Sequence, residues 1–136
     1  IMKDHQIQVR VRYSETDQMG VVYHGNYITY LEVGRVEYMR SIGFVYKDFE
    51  KEGCVMPVVH CAVDFKNPAL YDDELMIETR VEELPTSKIT FLYNIKRLDD
   101  NKLICSAKVI LVFLNAQSFR PIKASEKLIN LLKDKI

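Results

Sequence analysis

Only one stretch of this chain carries a long helical repeat, and it is set among segments that alternate in the manner of strands. From Tyr27 onward, Tyr27, Tyr30, Leu31, Gly34 and Tyr38, with Ile28, Val36 and Met39 beside them, recur at helical spacing. That spacing predicts a helix over 26–42, about 25 Å long, closed by Gly43 as a C-terminal cap. Its apolar residues fall on more than one side, Ile28, Val33 and Val36 included, so the helix is expected to be enclosed rather than to lie on a surface.

The flanking segments read as strands. Gln6 to Tyr13 alternates Ile7, Val9, Val11 and Tyr13 against Gln8, Arg10 and Arg12, the period of a strand with one buried face. After a short helical stretch, Tyr46 to Glu52, four strands follow, over 55–66, 74–83, 88–98 and 103–115. The turn formers Asp99, Asp100, Asn101 and Lys102 join the last two as a hairpin. Ser125 opens a short final helix with Leu128, Ile129, Leu131 and Leu132 on its apolar side. The joins are too short for helical crossovers, so neighbouring strands should be antiparallel. The expected plan is α+β: one long helix against a strongly curved five-stranded antiparallel sheet, in a single domain over 1–136. A sheet with one covering helix leaves an edge and a face unprotected. The last two strands are apolar on both phases of their alternation, so self-association is expected to supply the cover.

Composition narrows the function. Nineteen basic residues balance nineteen acidic ones, which removes the charge footprint of a nucleic-acid or acidic-membrane binder. No apolar run approaches the ~20 residues that cross a bilayer. Cys54, Cys61 and Cys105 cannot all pair, no C-x-x-C occurs and no basic-then-apolar leader is present, so a cytoplasmic protein is expected. Ile1, ahead of Met2, is set aside from fold reasoning. No histidine or cysteine spacing resembles a zinc site. None of the three cysteines sits in a turn beside a helix start, so neither a metal nor a thiol nucleophile is expected.

Among many carboxylates, Asp17 stands out by position. It lies in the turn between the first strand and the start of the long helix, where unpaired N–H groups and the positive dipole end sit. A carboxylate beside such a tip is the minimum apparatus for acyl transfer, one group to attack or to activate water and another to hold the developing oxyanion. The competing reading is that Asp17 only satisfies the amides of its own turn.

The run from Tyr13 through Asp17, Gly20 and His24 to Tyr27, followed by Tyr30, Leu31, Glu32 and Arg35, resembles the signature of the hot-dog-fold acyl-CoA thioesterases of the 4-hydroxybenzoyl-CoA thioesterase type. It is especially similar to the small bacterial branch associated with the Tol-Pal system. The segment Pro68 to Asp73 also matches, and the resemblance covers essentially the whole chain. It implies that Asp17 is the catalytic carboxylate, acting as nucleophile or as general base. It implies that backbone N–H groups at the helix start, His24 with Gly25 behind it, hold the thioester oxygen. It also implies homodimers and often homotetramers with sites at the subunit interface, and no cofactor beyond the coenzyme A of the substrate.

The remaining residues carry two readings each. The His24 side chain either places the carbonyl or water or simply caps the helix. Tyr23 and Tyr27 either line the pocket or belong to the core. Glu32 is a reserve catalyst, because other hot-dog lineages use a helix-borne carboxylate, or it pairs with Arg35 three residues on. Lys66 and Asn67 at one strand end, with Ser87 and Lys88 at another strand's start, are candidates for coenzyme A phosphates, against a plain solvated surface. The expected activity is hydrolysis of acyl-CoA, with acyl carrier protein open as the carrier. The alternatives are an acyl-thioester hydratase or dehydratase using His24 with Glu32, and a non-catalytic acyl-CoA-binding module.

Overall fold

The computed structural model describes residues 4–136; Ile1 and Met2 lie outside the described residues. Its chain order is β1 (His5–Arg10), α1 (Asn26–Ser41), α2 (Tyr46–Lys51), β2 (Cys54–Val55), β3 (Val58–Phe65), β4 (Glu74–Val81), β5 (Lys88–Arg97), β6 (Leu103–Val112), β7 (Leu114–Asn115) and α3 (Glu126–Leu132). Five strands form one antiparallel sheet in the order β1-β4-β5-β6-β3, and β2 pairs with β7 alone.

The helices stop and start where local chemistry dictates. At the C-terminus of α1, Gly43 adopts φ +88°, a conformation that costs a residue with a Cβ far more. Its N–H then reaches the Arg40 carbonyl at 3.0 Å while Phe44 N–H reaches Met39 at 2.9 Å, the paired bonds of a Schellman cap. Ser125 Oγ accepts the Leu128 N–H at 3.2 Å and starts α3. Between β5 and β6, Asn101 takes φ +56° and Asp100 accepts the Lys102 N–H, which closes the expected hairpin.

Helix α1 packs chiefly on β4 and β1. The approach is close enough that a Cβ on Gly34 would lie 2.7 Å from Thr79 Oγ1 and 2.8 Å from Ile77 Cγ2, so glycine is required at the crossing. Tyr27, Tyr30, Leu31, Tyr38 and Met39 are buried with Leu75, Ile77, Phe91, Tyr93 and Ile95 from the sheet. Burying such side chains is the main source of stability.

Four expectations need correction. The first strand ends at Arg10, not Tyr13, because the Glu15 carboxylate captures the Arg12 N–H at 2.8 Å and turns the chain into a 3-10 turn over Tyr13–Glu15. Strands β3 and β4 follow one another but are not neighbours. The segment 66–73 crosses the turn end of the β5–β6 hairpin, with Lys66 N–H on the Ile104 carbonyl and Arg97 on the Pro68 carbonyl, and leaves β3 on β6. Strand β3 is not half-buried: Val58, Val59, Cys61 and Phe65 are exposed, since this edge lies away from the strands that α1 covers. Finally, α1 is buried along one face only, with Ile28 and Val36 left exposed.

Candidate active site

The loop between β1 and α1 is organised by a residue that sequence reasoning passed over. Glu15 is 7% exposed. Its Oε1 accepts the Arg12 N–H and the Tyr30 hydroxyl, each at 2.8 Å, and its Oε2 accepts the Arg12 guanidinium. Its carbonyl accepts the Tyr23 N–H at 2.9 Å and the Asn26 side-chain amide at 2.8 Å. One residue thus ties the start of the loop, its end and the second turn of α1 together. Burial works to raise the Glu15 pKa, yet the bonds from the Arg12 amide, the Tyr30 hydroxyl and the Arg12 guanidinium outweigh it and hold the carboxyl below its usual value. The Tyr30 phenol is raised by burial and by its carboxylate partner. The local signal for Glu15 was present, a carboxylate three residues after the amide it receives; the link to Tyr30, fifteen residues on, was not.

Asp17 sits half-buried at the loop's tight end. Its Oδ1 accepts the Met19 N–H at 2.9 Å and the Val21 N–H at 3.4 Å, while its own N–H reaches the Val21 carbonyl at 2.9 Å. Gly20, at φ +80°, allows the reversal. Among the described residues no cation pairs with Asp17, and its Oδ2 accepts no hydrogen bond. One oxygen of Asp17 therefore serves the turn, and the other accepts no hydrogen bond among the described residues.

A second loop braces this one. Val22 N–H donates to the Ala69 carbonyl at 2.8 Å, and Val21 bridges Leu70. The bracing loop is held by Asp73, which accepts the Leu70 N–H and pairs with Arg97 at 3.0 Å, while Arg97 also reaches the Pro68 carbonyl. The Pro68–Asp73 motif is therefore a clamp on the segment that carries Asp17.

At the tip of α1, Gly25 already has helical backbone angles, φ −64° and ψ −24°, and no side chain caps the helix. Asn26 and Tyr27 donate back to Tyr23 and His24. The N–H groups of His24 and Gly25 have no acceptor among the described residues. Two consecutive free donors at the positive end of a helix form an anion-binding tip. The exposed His24 ring rests on Tyr23 at 4.4 Å and meets Phe65 edge-on at 6.4 Å.

A cavity of about 290 Å³ opens beside this tip, lined by Val22, His24, Tyr27, Phe65, Lys66 and Asn67. The structure thus gathers His24, Tyr27, Lys66 and Asn67. Tyr27 is buried, and burial pushes its phenol up to about 12 against an opposing backbone bond from Ala69. Asn67 is oriented by its bond to the Leu103 carbonyl at 2.7 Å. Tyr23 is half exposed and does not line this cavity. Neither Asp17 nor Glu32 lines this cavity.

Other expected partners are not brought together. Lys88 pairs with Val112, whereas Asn67 lies beside Leu103, about 30 Å away along β6. Ser87 and Lys88 therefore serve the opposite end of the sheet within one chain. Glu32 forms no ion pair with Arg35 among the described residues. Arg35 faces the buried Tyr93 instead, whose phenol burial pushes up to about 12 against the guanidinium's charge, and an exposed helix pair is worth only ~0.3 kcal/mol. The cysteines are divided: Cys54 and Cys105 are buried, the latter with its thiol pushed up to about 12, while Cys61 is exposed on β3.

Comparison with known proteins places this geometry. The family model described as the thioesterase-like superfamily matches residues 11–132. The chain belongs to that superfamily. Among the family's named members, the acyl-CoA thioesterase YbgC of Haemophilus influenzae is 37% identical over 105 residues, 76% of this chain and 75% of that protein. The structure of a DHNA-CoA thioesterase from Staphylococcus aureus is 34% identical with a TM-score of 0.82, over 87% of this chain and 78% of that one. A 4-hydroxybenzoyl-CoA thioesterase, solved as an aspartate-to-asparagine mutant complexed with 4-hydroxybenzoyl-CoA, is 25% identical with a TM-score of 0.85, over 95% and 98% of the two chains. The family's fold, and the fold of this chain, is the hot-dog fold.

Proposed function

We propose that this protein hydrolyses acyl-CoA thioesters to the free acid and coenzyme A, with Asp17 as the catalytic carboxylate. The observation that carries the reading is the pair of acceptor-free amides on His24 and Gly25, at the helix that follows the Asp17 loop. The thioester oxygen accepts these two N–H groups and is polarised, and they hold it more tightly as it becomes an oxyanion. The free oxygen of Asp17 takes a proton as water attacks the carbonyl carbon, or attacks that carbon itself to form a mixed anhydride that water then opens. In both routes the carbon–sulfur bond breaks, and the coenzyme A thiolate leaves and is protonated. No metal or redox cofactor enters this scheme.

Lys66 and Asn67, beside the tip, are placed for the phosphates or pantetheine of the coenzyme. Ser87 and Lys88 take part only if a second protomer brings them to the same site. The exposed edge of β3 supports that arrangement. It presents unpaired backbone groups and the apolar Val58, Val59 and Phe65, a template for pairing with its own copy about a two-fold axis. A cytoplasmic homodimer or homotetramer of the Tol-Pal-associated branch completes the reading; among the described residues no helix is long and apolar enough to cross a membrane.

The direct test is release of free thiol from a panel of acyl-CoA and acyl carrier protein thioesters, followed with a thiol-reactive dye, with the acid product identified by mass spectrometry. Thiol release with the matching acid is expected. A hydroxyacyl or enoyl product, or tight acyl-CoA binding with no turnover, overturns hydrolysis.

A further inference from the structure

The Asp17 carboxylate does not line the cavity beside the helix tip, so the spacing between the two must be fixed by other groups. The 68–73 loop touches both. Pro68 forms part of the cavity wall, while Ala69 and Leu70 meet Val22 and Val21 of the Asp17 loop. Backbone bonds hold its ends, with the Lys66 and Asn67 N–H groups on the Ile104 carbonyl at one side and Asp72 N–H on the Val11 carbonyl at the other. Among the described residues, the five-stranded sheet reaches Pro68, Ala69 and Leu70 by hydrogen bond only through the Arg97 side chain, at the end of β5.

Arg97 Nη1 donates to the Pro68 carbonyl at 3.2 Å and to Asp73 Oδ2 at 3.0 Å, and its Nε donates to Asp100 in the β5–β6 turn at 3.2 Å. The same Asp73 oxygen accepts the Leu70 N–H at 2.9 Å. One nitrogen therefore fixes the cavity wall directly and the neighbour of Val21 through a single carboxylate. The pair is sheltered, its side chains 14% and 21% exposed, so it escapes the screening that makes open ion pairs weak. The planar guanidinium also holds its three acceptors in a set geometry. Burial raises the Tyr27 phenol of the cavity wall to about 12, and the charges of Arg97 and Asp73 lie near enough to act on it.

We propose that Arg97 is a positioning residue, which sets the distance between the Asp17 carboxylate and the thioester held at the helix tip. It acts through Asp73 and Pro68 and touches no substrate. The assignment rests on the hydrolase reading above. Misplacing a reacting group by about 1 Å can cost roughly a hundredfold in rate. The groups proposed to hold the ground state, the amides of His24 and Gly25 with Lys66 and Asn67, make no bond to Arg97 among the described residues.

The test compares Arg97→Met and Arg97→Lys with wild type on the fastest acyl-CoA of the panel. Arg97→Met is expected to lower kcat by about 10–100-fold, with KM changed by less than about threefold. Arg97→Lys, whose ammonium can donate to both Asp73 and Pro68 as a point charge, is expected to recover part of the loss. In an Asp17→Asn background the same substitutions should lower kcat by less than about twofold, because a base already removed cannot be displaced. Equal losses with and without Asp17, or kcat unchanged in both variants when circular dichroism shows them folded, overturn the positioning role and leave hydrolysis intact. Should Arg97→Met fail to fold, Arg97→Lys decides by the same criteria. If wild type hydrolyses no acyl-CoA, the hydrolase reading fails and amide exchange decides the linkage alone. Faster exchange of the Asp17 and Val22 N–H groups in Arg97→Lys at unchanged global stability then supports it, and unaltered exchange overturns it.

Discussion

Asp17→Asn is expected to lower kcat for acyl-CoA hydrolysis by about 10²–10⁴-fold, the contribution of a positioned general base, or ~3–5 kcal/mol of barrier. The substitution isolates charge and basicity from architecture. Asparagine keeps an oxygen for the Met19 N–H that Asp17 now holds at 2.9 Å, so the turn persists and unfolding free energy should move by less than about 0.5 kcal/mol. KM should change little, because the proposed hold on the ground-state carbonyl comes from the amides of His24 and Gly25. Retention of more than about a tenth of wild-type kcat, well above the range for a lost base, removes Asp17 from the chemistry and leaves it as a turn residue. Glu32 is the carboxylate to examine next.

Glu15→Ala should strike stability first and activity through it. The change strips the buried Tyr30 hydroxyl and the Arg12 amide of their shared acceptor at Oε1. Each unsatisfied buried polar group costs ~1–3 kcal/mol, so a loss of about 2–5 kcal/mol is expected by denaturant unfolding. The Arg12 pair adds little, since its side chain is 75% exposed. The same carboxylate makes stability pH-dependent with a defined sign. Its folded pKa lies below the unfolded value. The stabilisation is therefore complete above about pH 4.3, the ordinary glutamate value, and is lost as pH falls through the lower folded value. Wild-type stability should drop more steeply in that acid range than that of Glu15→Ala. Equal slopes for the two proteins mean that Glu15 is not held ionised by its neighbours. Turnover should also fall in the variant, because the carbonyl and side chain of Glu15 position both ends of the loop bearing Asp17.

These two carboxylates, two residues apart, show how unevenly a site can be read from a chain. The position of Asp17 was legible because it is local: a carboxylate among turn formers ahead of a helical repeat falls in the loop that enters the helix. The loop motif, compared with a known family, then selected it among many carboxylates. Glu15 was missed because the partner that makes it a keystone, Tyr30, lies on a different element and meets it only once α1 has docked. Ser87 and Lys88 were grouped with Lys66 and Asn67 as candidate contacts to the coenzyme A phosphates, yet the sheet register sends them to opposite ends. The expected Glu32–Arg35 pair had correct spacing and did not form, since the pull of a surface ion pair is weaker than Arg35's packing beside the sheet.

The secondary structure divides in the same way. Helix α1, its glycine stop, the serine start of α3 and the β5–β6 hairpin follow from interactions within a few residues, and the linear order of residues determined them. Only the tertiary structure decided that β3 would pair with β6 and stay an exposed edge, that α1 would hide one face, and that Arg97 would meet Pro68 and Asp73. Periodicity states which residues favour burial; it carries no information on which distant segment will bury them, because that choice depends on contacts formed across the whole folded chain.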